Sequence, residues 1–115
     1  MNNAELAEIF TEARRLIVEG GWIQDEFAQN NDGEGVRWNS PNATCFCAVA
    51  AIFRAAPRLR GVSIGTASEF LGRTFGTDFM PVDAWNDDPV RTKEDVIQFF
   101  DALITHLQSV ETGPR

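Results

Sequence analysis

Two cysteines, one histidine, a tryptophan-led polar run and a group of arginines are the residues here whose types could do chemistry. Cys45 and Cys47 sit in the apolar stretch ATCFCAVAAIFRAA, Ala43 to Ala56. If that stretch is a helix, Cys47 falls in its first two turns, where the positive end of the peptide dipoles favours a thiolate. A nucleophilic thiol also needs a base within reach. The only histidine is His106, far along the chain. Cys47 is therefore the one catalytic candidate, set against the ordinary role of a free cysteine as a small core hydrophobe. Side chains two apart on a helix do not face each other, so no disulfide is expected between Cys45 and Cys47. With His106 the only other soft ligand, no zinc site is expected, and no cofactor.

The second candidate is Trp85-Asn86-Asp87, with Arg91 and Thr92 behind it. A tryptophan beside an amide and carboxylates can stack on a flat ligand and hydrogen-bond its edge. The structural alternative is a tryptophan that plugs the core while Asn86 or Asp87 bonds the loop backbone and Thr92 caps the next helix. Trp22 and Gln24 form a smaller patch of the same kind. The third candidate is an arginine cluster, Arg54, Arg58, Arg60 and Arg73. It shares residues 51–75 with one acid, Glu69, inside a chain of net charge -7. Arginine's planar fork suits carboxylates and phosphates, so the cluster reads as an anion site or as partners for the surplus acids. The acids near Asp32 lack the alternate spacing of a calcium loop, so no metal is assigned there.

These candidates must be positioned by helices. Leu6, Ile9, Phe10, Ala13, Leu16 and Ile17 recur at helical spacing, predicting a helix over 4–19 with Asn2 or Asn3 as cap and Gly20-Gly21 as a left-handed stop. Asp32-Gly33 predicts a tight hairpin within 27–38, with positive φ at both central positions. The stretch 43–56 is apolar around its whole circumference, so it is expected as a central helix covered on all sides and entered at Ser40-Pro41-Asn42. The segment after Pro57 is read as a loop, followed by a short helix over 67–75 with Thr66 and Glu69 as a capping box. One helical turn is expected around 82–86. Val96, Ile97, Phe100, Leu103, Ile104 and Leu107 predict a last helix over 93–109, with a frayed tail from about Glu111. The fold class is mainly α: a compact bundle of about four helices around the central apolar one, with one short β-hairpin, in a single domain spanning 1–115.

At 115 residues and 43% hydrophobic content the chain can bury a real core, so disorder is not indicated. Its acidic balance argues against nucleic-acid binding, which needs basic surface to neutralise phosphates. No apolar run is long enough for a leader or an anchor, so no membrane association and a cytosolic setting are expected.

Three patches together resemble a family of small bacterial and phage proteins of unknown function: Gly21-Trp22 with Gln24, Phe46-Cys47 leading into Ala50-Ala51-Ile52, and Trp85-Asn86-Asp87 followed by Arg91-Thr92. The chain departs from that pattern in having Ala50 where relatives tend to place glycine, and in its extra Cys45. The resemblance implies a small cytosolic domain with the same residues in view, assigns no activity, and makes a regulatory or host-countering role a hypothesis. One histidine, one lysine and no tyrosine leave few general bases. The leading expectation is thus a non-enzymatic binding or regulatory protein with a protein partner. A small-molecule or nucleotide site built from Trp22, Trp85 and the arginines is the alternative, and a thiol enzyme at Cys47 the third.

Overall fold

Asn2 opens the first helix by accepting the Glu5 amide on its side-chain oxygen at 2.8 Å, which satisfies one of the orphan donors of the first turn. The computed structural model describes residues 2–112, with side chains to 109. Helix α1, Asn3–Arg15, buries Leu6, Ala7, Phe10 and Ala13. It runs into one π turn, Leu16–Gly20, that carries Ile17 into the core. The expected left-handed stop is absent: Gly21 has φ 166, an extended conformation. Glycine is needed at this corner for room instead, since a Cβ on Gly20 would lie 2.1 Å from the Thr44 carbonyl oxygen.

The hairpin forms from β1, Ala28–Gln29, and β2, Gly35–Val36, paired antiparallel with Ala28 opposite Val36. Its turn is longer than the two-residue one expected. The Gly33 amide bonds the Asn30 carbonyl at 3.1 Å, and only Gly33 has positive φ, at 78. That is a type I turn closed by a left-handed glycine, the usual three-residue alternative. Asn30 holds the loop from inside by accepting the amides of Asp32 and Glu34 on its side chain.

A third strand, β3, Cys45–Phe46, lies on the other side of β1, giving the order β2-β1-β3. It corrects the expectation of a helix over 43–56. The Thr44 amide bonds the Gln29 carbonyl and the Cys47 amide bonds the Phe27 carbonyl, both at 2.9 Å, so the first part of the apolar stretch spends its donors on the sheet. A short apolar run is compatible with either structure, and the neighbouring strand decides. The central helix α2 is Ala48–Ala55. Its cap is Cys47, not Ser40 or Asn42. Ala48 to Ile52 are all buried, as a helix covered on every side requires.

After a 3-10 turn at Pro57–Leu59, helix α3 runs from Arg60 to Thr74, through the segment expected to be a loop. Thr66, expected to cap a shorter helix, lies inside this one and donates its hydroxyl to the Val62 carbonyl at 2.9 Å. The buried face is Ser63, Ala67, Ser68, Leu71 and Gly72, at helical spacing but nearly all small, so it carries little apolar signal. Helix α4, Val82–Asp87, occupies the place of the expected single turn. Thr92 and Asp95 exchange side-chain and backbone bonds at 3.0 and 3.1 Å in front of α5, Lys93–Thr112. The helix thus continues past the expected fraying point, and 113–115 lie outside the described residues.

The structure is a mainly helical assembly with a small three-stranded sheet. Helix α1 packs most extensively on α5, where Phe10 and Phe100 meet with ring centres 6.4 Å apart, and α2 fills the space between α1, α3 and α4. No helix among the described residues is long and apolar enough to cross a membrane.

Candidate functional site

Asn86, fully buried on the last turn of α4, ties three segments together. Its carbonyl oxygen accepts the Trp22 indole N–H at 2.7 Å and the Ala48 amide at 3.0 Å, and the latter belongs to the first residue of α2. Its NH2 donates to the Ile23 carbonyl at 3.2 Å and to an Asp87 carboxylate oxygen at 3.0 Å. Two lone pairs and two N–H bonds are all that an amide side chain has, so nothing is left over. Gln24 reinforces the clamp by donating to the carbonyls of Asn86 and Asp88 at 3.0 and 2.7 Å. The Asp87 oxygen also accepts the Asp25 amide at 2.9 Å, and Asp25 is held at φ 67, a left-handed backbone unusual outside glycine. The sequence candidates Trp22, Gln24, Asn86 and Asp87 therefore do converge, and the bonds among them are directed at one another.

Beside this clamp opens a cleft of about 300 Å³ lined by Asp25, Glu26, Phe27, Cys47, Asp83 and Asp87. Cys47 reaches it from the amide end of α2. Its sulfur accepts the Ala50 amide at 3.3 Å, which makes the thiol a helix cap. Burial pushes the thiol up to about 11; the Ala50 and Val49 amides pull the other way, and Asp87 and Asp83 add to the rise. Desolvation thus outweighs the helix end that the sequence suggested would favour a thiolate. His106 is not beside it: the imidazole lies against the Phe70 ring, 5.2 Å between centres. Among the described residues no group of three or more His, Cys, Asp or Glu side chains is placed to hold a metal ion.

The cleft continues into an apolar groove of about 200 Å³ that shares Phe27 and Asp83 with it and adds Val49, Ile64, Phe79 and Val82. Phe27 is 49% exposed and Phe79 57%, a large amount of aromatic surface in water along one groove. Sequence reasoning missed Asp25, Glu26, Phe27, Phe79 and Asp83. Their one common mark, an aromatic or acid in a turn-rich segment, also describes any solvated loop.

Trp85 is 7% exposed, with its ring 5.2 Å from Phe99 of α5. The Arg91 guanidinium lies over the Trp85 ring at 4.3 Å, and its Nε donates to the Trp85 carbonyl at 2.9 Å. Trp22 is not among the residues that line the pocket of Trp85 and Arg91. Of the four arginines expected as a cluster, Arg54 and Arg60 both come to Trp38. Arg54 turns its guanidinium to the carbonyls of Trp38 and Ser40, and Arg60 stacks over Trp38 and Phe53 at 5.1 and 5.7 Å. Arg58 is exposed on the 3-10 turn, and Arg73 lies near the far end of α3, about 20 Å along the helix from Arg60.

The chain belongs to a family of unknown function, DUF6197, which it matches over residues 1–106. No curated protein and no solved structure matches it.

Proposed function

We propose that this family member is a binding protein without catalytic activity, and that its groove takes a short segment of another protein carrying an apolar side chain next to a lysine or arginine. The observation that carries this reading is the continuity of the groove: two half-exposed phenylalanines, Phe27 and Phe79, run into the carboxylates of Asp25, Glu26, Asp83 and Asp87. Exposed aromatic surface in a concave site is stabilised when a partner covers it. The acidic end complements a cation, whose charge also gains from the Phe27 ring face. The same carboxylates repel phosphates, which supports a protein rather than a nucleic-acid partner. Burial that favours the protonated thiol, with neighbouring carboxylates that raise it further and His106 against Phe70 instead, supports a reading without nucleophilic chemistry. A regulatory role in the cytosol, in a phage against a host protein, is the wider reading that the family resemblance supports.

The test is selection from a random peptide library, followed by titration of the selected peptides against the folded protein. Peptides pairing a basic with an aromatic or branched residue are expected. Their binding should fall about tenfold or more on Phe79→Ser, and should weaken with salt and on Asp83→Asn. Selected peptides without basic residues, bound equally well by both variants, would overturn the proposal.

A further inference from the structure

The 3-10 turn after α2 sets a basic segment beside the acidic groove. Arg58 and Leu59 are both exposed on it, Leu59 by 40%. From Arg60, where α3 begins, it is about 6 Å along the helix to Ile64, which lines the groove with Gly65. Phe27, on the wall of the same groove, packs on the Phe53 ring at 6.3 Å, and Arg60 lies over that ring at 5.7 Å. Arginines and carboxylates thus border one partly uncovered apolar surface, with Phe27 between them. Neither charge is answered within the chain. Among the described residues Arg58 makes no ion pair, and neither do Asp25, Glu26, Asp83 and Asp87. A single unpaired surface ion is ordinary. Two unpaired sets of opposite sign around exposed aromatic rings form a surface that complements itself.

We propose that two copies of this chain associate about a two-fold axis through this face, with Arg58 of each copy against Asp83 of the other and Leu59 of each in the other's groove. The proposal rests on the reading of the groove as a seat for an apolar side chain next to a basic one, and Arg58-Leu59-Arg60 is a segment of that kind. A two-fold interface uses the same patch on both partners, so a patch that carries both charges makes each contact twice. Phe27, Phe79 and Leu59 are few beside the roughly 800 Å² per partner of a standard interface, so the dimer is weak, with a Kd on the order of 100 μM. Self-association therefore covers the groove only at high concentration, and any other ligand of the groove competes with it.

Sedimentation equilibrium of the full chain from about 10 μM to about 1 mM reads the association directly. The mass should rise from the 12.8 kDa of one copy toward twice that, and should rise less in high salt. Arg58→Glu and Asp83→Arg, both at exposed positions, should each weaken association about tenfold or more, because each sets like charges against one another twice. Mixed in equal amounts, the two variants should associate again. In the mixed dimer one contact is the native pair and the other is that pair with its signs exchanged. A wild-type chain that stays monomeric at about 1 mM, or a mixture no more associated than either variant alone, rules the dimer out. If that monomer still binds the selected peptides, self-association alone has failed; if it binds none, the reading of the groove fails with it.

Discussion

Trp22 and Trp85 carry the same indole N–H, and the fold treats the two in opposite ways. Trp22 is the less buried, yet its N–H lies 2.7 Å from the Asn86 oxygen in a cluster where every amide bond has a partner. Trp85 is buried and its N–H has no partner among the described residues, and the arginine stacked on its ring has only donors to offer. Trp22 reaches the short helix α4 from outside, through Asn86, whereas Trp85 is part of that helix. A saturated cluster has no free bond to offer and reads as a fastening; Trp85 is held instead by ring packing and the stacked Arg91.

The most severe way to break this contrast is Asn86→Leu, which strands the Trp22 N–H, the Ala48 amide and the Ile23 carbonyl together. At about 1 to 3 kcal/mol for each group left unpaired, a loss of at least about 3 kcal/mol is expected in urea denaturation, a large part of the 5 to 15 available to a domain. A loss under about 1 kcal/mol would show that the cluster is not a fastening. Trp85→Ala should cost about 3 to 5 kcal/mol through lost packing alone, with no hydrogen bond in the balance, and Asp87→Asn should leave the protein folded.

A third test concerns the thiol at the edge of the saturated cluster. Cys47 rises from its ordinary value of 9.0 to about 11 on folding. Between those limits the unfolded chain has already lost a proton that the folded one keeps, so stability falls as pH rises through the window and is unaffected below it. A shift of that size corresponds to roughly 3 kcal/mol. It is read as the difference in denaturation midpoint between the native protein and Cys47→Ala across pH 8 to about 11; parallel curves would refute the burial argument. The smallest effect is Cys47→Ser against Cys47→Ala. Read as an interior helix position, Cys47 predicts that a buried hydroxyl is the worse change. As a helix cap whose sulfur accepts the Ala50 amide, it predicts that serine keeps the bond and is the more stable of the two by about 1 kcal/mol.

What could be read beforehand follows from how each element announces itself. Helices α1 and α5 bury large side chains at helical spacing, and the Thr92 and Asp95 cap is a local pattern. Helix α3 buries Ser63, Ala67, Ser68 and Gly72, so the period is present without the hydrophobicity that reveals it. It also holds Gly61 and Gly65, each worth about 1 kcal/mol against a helix, which packing overrides. The start of α2 was hidden because Cys45 and Phe46 are as much at home in a strand, and the partner that decides, β1, lies earlier in the chain. The clamp residues were visible by type, while their bonding was not: Trp22 and Asn86 meet only after the chain has folded. Of the acids of the groove only Asp87 was visible beforehand, since Glu26 and Asp83 are neighbours only in three dimensions.

The pairing of α1 with α5 has a consequence for how the chain comes into being. Helix α1 finds its main companion in α5, which is synthesised later, through Phe10 on Phe100 and Arg14 on Asp101. At usual synthesis rates Phe10 waits roughly 5 to 20 seconds for Phe100 to be added, with its apolar stripe uncovered in the meantime. A fold that covers an early helix with one made much later gains little from partial completion, so a nascent chain short of α5 should stay open to proteases and chaperones until that helix has emerged.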